Sequence, residues 1–270
     1  MMTVNNSSYN YIEDYLLIVR SKGRFSITQN ELLQKFNISP KTLNQSLFRL
    51  KSKNQIAQIR KGFYAIITPE YAHQGILPVY LFIDDLMKSL NKNYYLGLFS
   101  AAALHGAGHQ QPMESQIIIE NNSLRDIKND KLSIRFFTCS RWNSEYIVQK
   151  KTDAGYIHVS SPELTALDLV SYSPKIGGIN RLLPVLEELT EIIKPSKLYK
   201  TAKNYNQVTI IQRLGFLIDH VIGSVELSTT LEKILKEYTF NTIPLSIANK
   251  SKEGEVNTKW KVIINTDLQQ

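Results

Sequence analysis

Two helix starts follow each other closely, at Thr28 and at Ser39, and they bound what the first quarter of this chain can become. Thr28 and Glu31 have the spacing of a capping box, in which each side chain satisfies a free backbone N–H of the other residue. Leu32, Leu33 and Phe36 then give a short helix one apolar face, and Asn37 and Ile38 fit a turn. Ser39 suits an N-cap and Pro40 the first helical position, so a further helix is expected over 40–54. It would bury Leu43, Leu47 and Leu50 and turn Lys41, Thr42, Asn44, Gln45 and Arg49 to the other side. Upstream, Ile12, Tyr15, Leu16 and Val19 have helical spacing within 11–20. Downstream, residues 55–67 hold two β-rich runs around Arg60-Lys61-Gly62, a hairpin pattern with a basic tip. Helix, helix, turn, helix and basic hairpin is the order of a winged helix-turn-helix, expected here over residues 1–68.

Charge supports that division. Of the net +8, residues 1–65 hold +7, with ten basic residues against three acidic ones, while the rest of the chain is nearly balanced. From 41 to 61 there are six basic residues and no acidic one. A localised basic module predicts a polyanionic partner, and duplex DNA is the expected one. Asn and Gln can bond adenine edges, Arg guanine, and Lys phosphates. Asn44, Gln45 and Arg49 are therefore expected to choose sequence, with Lys41, Thr42, Arg60 and Lys61 completing the DNA-binding set.

Pro69 and Pro78 mark a change of character, and 69–80 reads as a linker to a second module over 81–270. A helix is expected at 81–91, a strand at 94–98 and a short helix at 101–105 capped by Ser100. Strands are expected at 116–120, 134–138, 146–150 and 157–161. A helix opens at Pro162, further helices cover 182–193, 197–205, 208–221 and 227–238, and a last strand covers 259–265. The predicted fold class is α+β: a winged helix-turn-helix followed by a mixed α/β domain with a helical C-terminal part. The only cysteine, Cys139, leaves no internal disulfide and no cysteine-built zinc cluster. With no apolar run of spanning length and no signal pattern at the N-terminus, no membrane partner and a cytoplasmic location are expected.

The stretch 98–110, LFSAAALHGAGHQ, raises the question of chemistry. His105 and His109 stand four apart, as in some metal sites, but Gly106 and Gly108 interrupt the helix between them and no third ligand is assigned. Ser100 lacks the glycine-flanked turn of a hydrolase nucleophile. A nuclease would use Glu114 or Glu120 with Lys151. The structural reading is close packing of small residues, a histidine bonded to backbone, and a glycine-permitted reversal. No cofactor and no metal are expected.

The segments YYLGLFSAAALHGAGHQQPMESQIIIE (94–120) and GYIHVSSPELTALDLV (155–170), with a late W-x-V-I-x-N (260–265), resemble the AbiEi family of antitoxins. The resemblance implies a non-enzymatic protein of a type IV toxin–antitoxin system linked to abortive phage infection. It implies autorepression through operator repeats bound by the winged helix, and opposition to a nucleotidyltransferase-like toxin by the C-terminal domain. The rival expectations are a DNA-processing nuclease using Glu114/Glu120 and Lys151, and a ligand-sensing winged-helix repressor. Lys194, Lys197, Lys200 and Lys203 form a possible second basic surface, although their spacing drifts round a helix.

Overall fold

A computed structural model describes residues 8–108, 113–249, 251 and 253–268. It is a mixed α+β structure. Its packing divides the chain into one unit of residues 1–94, 122–136 and 149–158 and a second of 95–121, 137–148 and 159–270.

The chain begins with α1 (Ser8–Ser21), β1 (Ser26–Thr28), α2 (Gln29–Phe36), α3 (Pro40–Ser52), β2 (Ile56–Arg60) and β3 (Phe63–Ile66). The capping box is made at both ends: Thr28 accepts from the Glu31 N–H, and Glu31 reaches back to the Thr28 N–H. Asn37 ends α2 in the left-handed region, φ 47°, with its N–H bonded to the Leu33 carbonyl. Ser39 Oγ then caps α3 by accepting from the Thr42 N–H at 3.1 Å. The three strands pair antiparallel in the order β1-β3-β2. Ile12, Leu16, Ile27, Leu32, Leu43, Leu47, Leu50 and Ile56 fill one core beneath the helices. The region expected as a linker is structured, with 3-10 turns at Pro69–Tyr71 and Val79–Leu81 and with Leu77 and Val79 buried. Next comes α4 (Ile83–Ser89), whose Asp85 accepts from Ser26 Oγ on β1 at 2.6 Å.

The elements that follow are β4 (Tyr94–Leu96), α5 (Leu98–Leu104), β5 (Ser115–Glu120), β6 (Ile127–Asn129), β7 (Leu132–Cys139), β8 (Ile147–Thr152) and β9 (Gly155–Ser160). They form a six-stranded sheet in the order β6-β7-β5-β4-β9-β8. Then come α6 (Pro162–Ser171), α7 (Ser173–Ile176), α8 (Ile179–Thr190), α9 (Pro195–Tyr205), α10 (Val208–Phe216) and α11 (Val225–Leu235). The expected helix over 208–221 changes register at Leu217, and Leu217–Ile222 is a π-helical segment. A small sheet of β10 (Ile243–Pro244), β12 (Val262–Ile264) and β11 (Glu255–Asn257), in that order, closes the chain. The expected strand 259–265 is therefore shorter, because Trp260 lies in the turn before it. Residues Glu163–Val170 of α6 are buried on every side, so this helix is the axis of the second unit. Among the described residues no helix is long and apolar enough to cross a membrane.

Candidate functional site

On α3, Lys41, Asn44, Gln45, Phe48 and Arg49 are all exposed and line one open depression. Their spacing places them on one stripe over two turns of helix. Leu43, Ser46, Leu47 and Leu50 occupy the opposite, buried stripe. Thr42 is half-buried and serves the cap, with its hydroxyl 2.8 Å from Ser39 Oγ. Gln29, the first residue of α2, joins this helix to the hairpin. Its Nε2 donates to Asn44 Oδ1 at 3.2 Å and its backbone N–H donates to the Gly62 carbonyl at 2.8 Å. Lys61 and Gly62 form the hairpin turn, which needs the φ of +78° that glycine adopts without strain. Lys61 is exposed, while Arg60 is half-buried and its Nη1 is enclosed without a hydrogen-bond partner. Lys53 pairs with Glu13 at 3.5 Å, and Lys51 donates to Gln58 at 3.3 Å. Lys41, Arg49, Lys51, Arg60 and Lys61 have no carboxylate partner among the described residues. The fold thus brings Lys41, Asn44, Gln45 and Arg49 onto one face, leaves Thr42 in the cap, and ties the hairpin turn to that face. Phe48, 68 % exposed at the centre of this face, was not anticipated from the sequence.

The stretch 98–108 has a structural explanation that differs in one respect from the sequence expectation. Ser100 does not cap α5; the helix begins at Leu98, behind Gly97. Because glycine offers no capping side chain, Gln116 of β5 takes that role. Its Oε1 accepts from the Phe99 N–H at 3.0 Å, and its own N–H donates to Ser100 Oγ at 2.8 Å. A side chain at Gly97 would collide with Ile118 on the same strand. His105 closes the helix, and its Nε2 lies 2.7 Å from the Ser160 carbonyl at the end of β9. Gly106 and Gly108 reverse the chain at φ 85° and 110°, and Glu188 of α8 accepts from the Gly108 N–H at 2.6 Å. His109 lies outside the described residues, and among those described no cluster of His, Cys, Asp and Glu could hold a metal. Replacing His105 with alanine should lower stability by about 1–3 kcal/mol by removing the shorter of two hydrogen bonds to the Ser160 carbonyl, the other coming from Thr165 Oγ1. Thermal melting checks this, and an unchanged midpoint would contradict it.

Of the residues a nuclease would use, Glu114 precedes β5 and Glu120 ends it, about 20 Å apart along the strand, and Lys151 lies on β8. Lys194, Lys197, Lys200 and Lys203 are all exposed along α9 and its N-cap. Lys203 is engaged with Glu237 at 2.8 Å, and Tyr199 donates to the same carboxylate, so that end of the row is neutralised.

A charged group that the sequence did not reveal is Asp168 on α6, 1 % exposed. Tyr95 donates to Oδ2 at 2.9 Å and Tyr205 to Oδ1 at 3.1 Å. Burial pushes this carboxyl up to about 7, and the two tyrosine hydrogen bonds only partly oppose the shift. In the unfolded chain it ionises at about 4. Below that pH both states are protonated and the contribution is fully present. As pH rises towards the folded value, the unfolded chain releases the proton first and stability falls. Wild type should therefore lose, relative to Asp168→Asn, on the order of a few kcal/mol between about pH 4 and neutrality. Urea unfolding across that range checks this, and parallel profiles would contradict it. Cys139, half-buried nearby, has its thiol pushed up by burial, which disfavours the reactive thiolate.

Residues 95–220, the span that holds α5, the Gln116 clamp, α6 and Asp168, match the family model of the AbiEi antitoxin C-terminal domain. This part of the chain is similar to that family, and the likeness supports a toxin–antitoxin role. No curated protein matches the chain by sequence. Among solved structures, the chain is similar to the crystal structure of RV2827C protein from Mycobacterium tuberculosis. The two share 16 % identity with a TM-score of 0.67, over 94 % of this chain and 91 % of that one, and the likeness is one of fold. An antigenic nucleotidyltransferase-like protein from Paracoccidioides brasiliensis aligns at 11 % identity and a TM-score of 0.35, over 59 % of this chain and 86 % of that one, too distant for a shared fold to follow.

Proposed function

We propose that the chain is a DNA-binding autorepressor and antitoxin of an AbiE-like, type IV toxin–antitoxin system. On this reading residues 1–68 are a winged helix-turn-helix, α3 is its recognition helix and the β2–β3 hairpin its wing. The C-terminal domain opposes a nucleotidyltransferase-like toxin, and the chain carries out no catalysis. The observation that carries the proposal is the α3 face. Lys41, Asn44, Gln45 and Arg49 share one exposed stripe, and Gln29 links that stripe to the basic hairpin turn. A helix presenting amide and guanidinium groups, flanked by cations without acidic partners, suits the major groove and its bordering phosphates.

The test is a reporter fused to the DNA upstream of the chain's own coding sequence. The full chain supplied in trans should repress it, and Arg60→Ala/Lys61→Ala should release it. Unchanged expression with the full chain present would contradict autorepression. Survival of cells expressing a nucleotidyltransferase-like toxin, if one is encoded beside the chain, tests the antitoxin role separately, and survival that does not rise when the full chain is present would contradict it.

A further inference from the structure

We infer that Phe48 reads thymine 5-methyl groups in the major groove, so that the sites this protein prefers carry A·T pairs beneath the second turn of α3. The inference rests on the DNA-binding reading above and goes beyond it by naming the base chemistry recognised.

Phe48 is 68 % exposed, although the buried stripe of α3 is already filled by Leu43, Leu47 and Leu50. The phenyl ring is therefore not needed for the core. It stands among Lys41, Asn44, Gln45 and Arg49, all polar or cationic, on the rim of the same depression. An apolar ring set among cations does not suit an apolar protein surface, because docking there would bury the neighbouring charges. It does suit a polyanion that offers one apolar feature between its phosphates. In the major groove of DNA the one projecting apolar group is the thymine methyl, the other base-edge groups being donors, acceptors or small ring C–H groups. Asn44, one turn before Phe48, points to the same base pairs. Gln29 occupies its Oδ1, so its Nδ2 hydrogens remain to donate to an acceptor such as thymine O4, which lies beside the methyl. Residues four apart on a helix stand about 6 Å from each other, close enough to address the same or adjacent pairs.

Deoxyuridine differs from thymidine only by this methyl, which allows a test needing no variant. A duplex is selected with the full chain from a random-sequence pool and synthesised twice, with thymidine and with deoxyuridine. Fluorescence anisotropy then gives both affinities. The wild type should bind the deoxyuridine duplex about fourfold more weakly for each methyl covered by a Phe48 ring. Phe48→Ala should melt with the wild type, bind the thymidine duplex as weakly as the wild type binds the deoxyuridine one, and no longer distinguish the two. Equal wild-type affinity for both duplexes would overturn the inference and leave DNA binding intact. Discrimination that survives in Phe48→Ala would overturn it too, by placing the methyl contact elsewhere. If the pool yields no bound duplex at low salt, the DNA-binding reading itself falls.

Discussion

Trp260→Ala should cost about 3–5 kcal/mol of unfolding free energy, the largest loss expected from any single side chain in the second unit. The indole is fully buried, and its ring lies so close to Gly215 of α10 that a methyl group there would overlap it. Its Nε1 donates to Asp219 Oδ2 at 2.8 Å, and Lys259 donates to the same oxygen at 2.9 Å. Gln212 of α10 donates to the Trp260 carbonyl at 3.0 Å. Removing the ring therefore opens a cavity, loses a hydrogen bond to a charged group and loosens the closing sheet from α10. Burial raises the Asp219 carboxyl, but the hydrogen bonds from Lys259 and Trp260 outweigh it and hold the group below its ordinary value. That contribution is present above the unfolded pKa and is lost as pH falls through the folded one. Denaturant unfolding measures the loss, and a midpoint near wild type would contradict the packing described. Gly215→Ala should destabilise through the same contact, by about 1–3 kcal/mol or more.

Reversing two charges on α3, Lys41→Glu with Arg49→Glu, should weaken duplex binding on the order of 100-fold or more. Each lost contact is worth roughly 1–3 kcal/mol, and the new carboxylates add repulsion from phosphate. Both side chains are exposed and neither has a carboxylate partner among the described residues, so folding should be unchanged. Anisotropy titration alongside a melting curve separates the two effects. Retained affinity would remove α3 from the interface.

The parts of this structure that were legible in the sequence are those with local causes. Thr28 with Glu31, and Ser39 with Pro40, mark α2 and α3 because a cap is a contact between residues three apart. Hydrophobic spacing likewise gave the buried stripe of α3 and most of the later helices. What was not legible depends on distant partners. Ser100 looks like a cap until Gln116, sixteen residues on, is seen to supply that function. Asp168 sits in an ordinary helical pattern, and only Tyr95 and Tyr205, brought in from β4 and α9, make it a buried carboxyl. The π-helical segment at 217–222, in which Asp219 accepts from the distant Trp260, carries no local signal in the sequence. Phe48 carries a hydrophobic residue's usual signal for burial, and only the filled core behind it shows that it faces outward. The late tryptophan and asparagine of the 260–265 motif have structural roles: Asn265 donates to the carbonyls of Ser246, Asn249 and Ser251 and so fastens the loop beside β12.

Whether the basic first quarter of this chain engages duplex DNA through α3 and the hairpin is decided by the salt dependence of binding. The full chain is titrated against the DNA upstream of its own coding sequence over a series of salt concentrations. Log K should fall linearly with log salt, with a slope of about −0.9 for each phosphate engaged, or roughly −4 to −5 for four to six contacts. Arg60→Ala/Lys61→Ala should make that slope shallower by about 2 and weaken all sequences alike. A slope near zero would show that no phosphates are engaged, and one unchanged in the double variant would remove the hairpin from the interface.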